Sequence, residues 1–303
     1  MSQVLAKERG IATRKRLAQV MWARLLSYRH EAEGYQKLLY CTGFLLLTSA
    51  VFHTVVLIVT GGALEGEVSF RKAISFGEAF GLTAISLAWF LTFMPVKRVT
   101  WWVLSSLYSV ATFIEVFMVT MQVWRGVPSH FNFSTPFDAA VFGMMGISIS
   151  LHLPLIVAVL VGSLFFLKAG ISFKWAISSG MLLLVASQIF GILMIVNNSN
   201  TVGQAGQMKI PHALGLHAAQ VLPLLALLLS FTNLGENKRT RLVITAIASY
   251  TALLTISAFQ ALNGLAMVDL NLPMSFIFLT SAAILGITFL RVLKGLWRNG
   301  EII

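Results

Sequence analysis

Eight runs of predominantly apolar residues, at 38–62, 74–95, 100–124, 138–166, 174–196, 211–233, 242–267 and 273–294, are each long enough to cross a bilayer. About 20 apolar residues in a helix span the ~30 Å hydrocarbon core. With no water to hydrogen-bond a bare backbone there, only helices and closed barrels cross it. The expected fold is all-α: a polytopic transmembrane helix bundle of about eight spans. Charged residues make up 11% of the 303 positions, against about 25% in a soluble domain. The net charge of +11 does not indicate nucleic acid, because the basic residues sit in short loops between apolar runs. They read as topology signals and as contacts to anionic lipid headgroups.

Their distribution sets an orientation. With a cytoplasmic N-terminus, 18 of the 22 Lys and Arg residues fall inside, and only Arg71, Lys72, Arg125 and Lys209 fall outside. That division predicts an even number of spans with both termini cytoplasmic. Trp101, Trp102, Trp124, Trp175 and Trp297 lie at span ends, where indoles favour the membrane interface. Residues 1–37 differ in kind. Leu17, Met21, Leu25 and Tyr28 recur at helical spacing among Arg14, Lys15, Arg16 and Arg24, which predicts a basic amphipathic helix on the cytoplasmic membrane surface. Residues 38–296 form the transmembrane domain and 297–303 a short cytoplasmic tail. No cleavable signal peptide is expected, since the first apolar run begins near residue 38. The single cysteine, Cys41, leaves no intrachain disulfide and no cysteine-based metal site.

The rare polar residues concentrate toward the opposite, outer side. The segments 124–138 and 197–212 carry Arg125, His130, Asn132, Asp138 and His212. At ~1.5 Å rise per residue, His53, Glu115 and Gln260 lie ~12–13 Å below the outer boundary, His217 ~9 Å and Glu78 ~6 Å, while His152 lies ~21 Å down. On the third span Tyr108, Thr112, Glu115 and Gln122 form one stripe, and His217 shares a face with Gln220. An intramembrane carboxylate costs at least ~2.5 kcal/mol on insertion scales. Glu115 is therefore expected to face the interior beside a His, Gln or Tyr of another span, either protonated or paired with His53 or His217.

Three functional readings follow, beside the bland one in which these groups are only interhelical packing. The first is a membrane redox protein, possible as an oxidoreductase, that binds haem, a divalent metal or quinone. His53 and His217 would be its ligands, with Glu115 and Glu78 in acid–base roles. Arg71, Arg125, His130, Asn132, His212, Gln220 and Gln260 would line an outward-facing ligand pocket. Imidazole is the usual biological ligand for haem iron and zinc, although no haem-attachment motif and no HExxH occurs. The second is a proton-coupled transporter or channel with Glu115 and His217 as its relay, aided by Gly143, Gly146 and Pro154 on the fourth span. Weighing against it, the inner half of the bundle reads as sealed by apolar side chains. The third is a sensor or assembly factor acting through the N-terminal helix.

The stretches Arg71-Lys-Ala-Ile-Ser-Phe-Gly with Gly81-Leu-Thr83, Arg125-Gly-Val-Pro-Ser-His-Phe-Asn132 and Pro211-His-Ala-Leu-Gly-Leu-His-Ala-Ala-Gln220 resemble segments of an uncharacterised family of bacterial polytopic inner-membrane proteins. The likeness covers the outer ends of spans two, three and six, about a sixth of the chain. The resemblance implies a bacterial inner-membrane location and no particular chemistry.

Overall fold

The computed structural model describes residues 17–66, 68–95 and 97–302. A short helix α1 (17–30) precedes α2 (Gly34–Thr60), α3 (Arg71–Leu91), α4 (Arg98–Trp124), α5 (Pro136–Phe165) and α6 (Ile171–Val196). A two-stranded antiparallel hairpin, β1 (Thr201–Val202) and β2 (Gly206–Gln207), leads into α7 (Lys209–Ser230), α8 (Glu236–Leu262) and α9 (Leu272–Ile302). Eight of the helices, α2 to α9, are long and apolar enough to cross a membrane. Each expected span is matched within a few residues, except that α8 starts at Glu236 and α9 continues past 294. Helices begin before their apolar runs because polar end residues still complete the helical hydrogen bonding. Their outward surfaces are apolar: Val51, Phe52, Val55, Ile58 and Val59 of α2 are all exposed. A surface of that kind is compatible with lipid contact and unsuited to water.

The chain forms two compact units. One comprises Glu33–Leu167 with Ile192–Ser199; the other holds the described residues up to Ala32, Lys168–Gly191 and those from Asn200 onward. In the first unit α2 and α3 pack at glycine. A Cβ at Gly77 would sit 2.9 Å from the Leu46 carbonyl oxygen, and one at Gly43 would sit 2.7 Å from that of Gly81. Gln36 accepts from the Glu33 backbone N–H at the start of α2. Its amide also donates to the Ala88 carbonyl at 2.9 Å and to Thr92 Oγ1 at 3.0 Å, tying the start of α2 to the end of α3. By contrast, apart from the adjoining backbone of α5 itself, no atom among the described residues lies within 4 Å of a Cβ built at Gly143 or Gly146, and α5 runs unbroken through Pro154. Close glycine packing thus occurs at Gly43 and Gly77 rather than at Gly143 and Gly146.

In the second unit α6 to α9 share a core of Ala176, Ala218, Leu222, Leu225, Ala246 and Val292. The carboxylate of Glu236, on α8, accepts from the Ser172 N–H at 2.8 Å and from Ser172 Oγ at 2.9 Å. It thereby caps the first turn of α6 from a neighbouring helix, where a negative group is favoured. The helix expected near the N-terminus is present over 17–30, with Val20, Trp22 and Leu25 exposed. Its expected basic extension through Arg14, Lys15 and Arg16 lies outside the described residues.

Candidate functional site

The predicted stripe on α4 is real. Tyr108, Thr112, Glu115 and Gln122 are all buried in the first unit. Glu115 is 2% exposed, and Ser148 of α5 donates its hydroxyl to Oε2. His130, from the loop between α4 and α5, brings Nε2 to 3.9 Å from Glu115 Oε1, ion-pair range rather than hydrogen-bond range. The partner in hydrogen-bond contact is therefore a serine of another span, not the His, Gln or Tyr expected. His130 Nδ1 lies 2.9 Å from Ser129 Oγ, and the ring packs among Phe76, Phe131 and Phe142. Its side chain is 22% exposed, so the buried carboxyl has a partly exposed imidazole beside it.

Above Glu115 on the same stripe, Gln122 donates to Asp138 Oδ1 at 2.9 Å. Arg125 donates to that oxygen at 2.6 Å and also to Gln122 Oε1, with its guanidinium 4.7 Å from the Phe137 ring centroid. Thr135 Oγ1 donates to Asp138 Oδ2 at 2.7 Å. A buried carboxylate with three donors is well satisfied, and one of those donors supplies its countercharge. Asp138 is absent from the site expected from sequence, although its place in the first turn of α5 is a visible signal. Below Glu115, Thr112 Oγ1 and His152 Nε2 are 2.7 Å apart, and Tyr108 meets the His152 ring edge-on at 4.9 Å.

Other expected site residues behave differently. His53 is buried with both ring nitrogens engaged: Nδ1 lies 2.7 Å from the Ser49 carbonyl, and Nε2 accepts from the Trp124 indole at 3.1 Å. A neutral imidazole has one donor and one acceptor nitrogen, so ligating a metal would require His53 to give up the Trp124 bond. Asn132 is buried but shapes its own loop, donating to the Pro128 carbonyl and accepting from the Ser134 N–H. Glu78, expected in the buried layer, is exposed, as is Arg71. The face of α3 that packs inward runs through Ala73, Gly77, Gly81 and Ala84, and Glu78 stands about 100° round from Gly77. Trp101, expected at the lipid interface, is buried, while Trp102 beside it is partly exposed.

His212, His217, Gln220 and Gln260 belong to the second unit. His212 Nδ1 lies 3.0 Å from the Ser187 carbonyl. His217 is half-buried and makes no hydrogen bond among the described residues. Gln220 is half-buried, and Gln260 donates to the Ala266 and Asp269 carbonyls at 2.9 and 2.8 Å, pinning the loop after α8. His53 and His217 thus fall in different units. Among the described residues no group of three or more His, Cys, Asp or Glu side chains is arranged to hold a metal ion. The half of α4 nearer its N-terminus, expected to be sealed by apolar side chains, is not purely apolar: Trp101, Ser105, Tyr108 and Ser109 are buried, with Thr42 of α2 donating to Ser109 at 3.0 Å. No protein-family model, curated protein or solved structure matches this chain.

Proposed function

We propose that the protein is a proton-coupled membrane transporter in which Glu115 is the buried proton carrier. The observation that carries this reading is the Glu115 carboxyl, 2% exposed, held by Ser148 and 3.9 Å from the partly exposed His130. A carboxyl inside a membrane bundle is expensive and marks a candidate functional site, and Glu and His in series are what a proton relay uses. His130 exchanges protons with solvent and passes them to Glu115. The Gln122–Asp138–Arg125 cluster holds the loop that carries His130 against the bundle. Haem or metal ligation by His53 is the weaker reading, because its lone pair already accepts from Trp124.

The division of basic residues, 18 to 4, supports a bacterial inner-membrane orientation with both termini cytoplasmic and His130 facing out. In that orientation α1 lies on the cytoplasmic side, where anionic headgroups attract basic residues.

The test is proton flux in proteoliposomes that enclose a pH-reporting dye, driven by a potassium diffusion potential. The wild-type protein should acidify or alkalinise the lumen faster than empty vesicles, Glu115→Gln should remove the excess rate, and His130→Ala should slow it. Wild-type flux equal to that of empty vesicles, or an unaffected Glu115→Gln protein, overturns the reading.

A further inference from the structure

The relay through His130 and Glu115 uses only half of the α4 stripe. The other half is also polar, and below Thr112 its groups find few partners. Trp101 Nε1 and Ser105 Oγ make no hydrogen bond among the described residues, and the Tyr108 hydroxyl has only Thr112 beside it, although their side chains are 1%, 0% and 1% exposed. Buried polar atoms are almost always satisfied, by protein or by ordered water. One orphan in a bundle is an incident of packing; here they follow one another on a single helix face. Positions 101, 105, 108, 112 and 115 lie within about 40° of one line at ~100° per residue. The stripe from Trp101 to Gln122 covers 21 steps of ~1.5 Å, or ~31 Å, about the thickness of the hydrocarbon core.

The chemistry of the orphans narrows what satisfies them. An indole N–H only donates, whereas serine and tyrosine hydroxyls both donate and accept. Water serves all of them and is small enough to follow a helix face. We infer that this face of α4 lines a file of water molecules running from the first turns of α4 up to Thr112 and Glu115. The file joins the buried carboxyl to the end of the unit opposite His130. Along it a proton moves by hops: an O–H bond breaks on one water or hydroxyl as another forms on the next, so charge and hydrogens balance at each step. Trp101 orients the first water without exchanging its own proton. His152, bonded to Thr112, keeps that hydroxyl aligned between Tyr108 and Glu115. The use of the file for proton transfer rests on the proton-coupled reading; its existence does not.

Hydroxyl-radical footprinting by brief X-ray exposure tests it on the full chain in lipid nanodiscs, because side chains beside bound water are modified even when they are buried. Trp101 and Tyr108 should be modified several-fold faster than Phe90, which is equally buried in the same unit without a polar group. Ser105→Val, which fills the file with methyl groups, should lower the Tyr108 rate and slow proton flux several-fold. Modification of Trp101 and Tyr108 no faster than of Phe90 overturns the inference, and wild-type flux that Ser105→Val leaves unchanged overturns the use of the file for proton transfer. Fast modification in a protein that carries no flux sustains the water file and removes the transport reading instead.

Discussion

The indole N–H of Trp124 donates to Nε2 of His53 across 3.1 Å, joining the last turn of α4 to α2 in the first unit. Phe70 stacks on the same imidazole, with ring centroids 6.2 Å apart. The histidine most suited by depth to bind a cofactor is thus a hub of an aromatic cluster. Trp124→Phe keeps an aromatic ring and removes the donor, leaving a buried acceptor unsatisfied. It should cost about 1–3 kcal/mol, read as a lowered midpoint of unfolding in detergent. An unchanged midpoint would mean that the His53 lone pair is free for another partner.

Arg125 and Asp138 should prove coupled. Arg125→Gln and Asp138→Asn each break the pair, and the double variant should cost less than the sum of the two. Because the Arg125 side chain is 38% exposed, the coupling belongs near the lower end of the range for contacting groups, about 0.5–1 kcal/mol. A double-mutant cycle on unfolding midpoints measures it, and strict additivity would rule the interaction out.

The glycines of the first unit should divide into two classes. Gly77→Ala drives a Cβ to 2.9 Å from the Leu46 carbonyl and should destabilise by about 1–3 kcal/mol. Gly143→Ala meets open space and gains helix propensity, so it should stabilise by about 0.5–1 kcal/mol. Thermal unfolding of both proteins side by side checks the contrast, and equal effects would contradict the packing of α2 on α3.

Topology reporters fused at Asn200 and after the C-terminus should report opposite sides of the membrane. An extra or missing span between them, detected as both on one side, would break the orientation drawn from the basic residues.

Much of this architecture is written in the amino-acid order, and the exceptions have identifiable causes. Apolar run length located α2 to α9, and helical spacing located the inward face of α4 from Tyr108 to Gln122. Depth without facing misassigned Glu78, since one residue of rotation separates it from the packed Gly77. Trp101 misled for a related reason: an indole at a span end suits the lipid interface and the bundle interior equally, and only the neighbouring helices decide. The pairing of Arg125 with Asp138 depends on a loop in which Gly126 has φ 69° and Phe131 φ 56°. No spacing rule anticipates a turn of that shape. Ser148 escaped notice because serine inside a span ordinarily bonds its own helix, as Ser148 also does with the Met145 carbonyl.

The cap that Glu236 places on α6 carries a consequence for biogenesis. Ser172 and Glu236 are 64 positions apart, so the ribosome finishes α6 and all of α7 before the residue that closes the start of α6 exists. Until then the first amide groups of α6 must rely on interfacial water. A nascent chain halted before residue 236 therefore presents α6 to the insertion machinery with its leading turn unsealed, and the arrival of α8 locks that turn from behind.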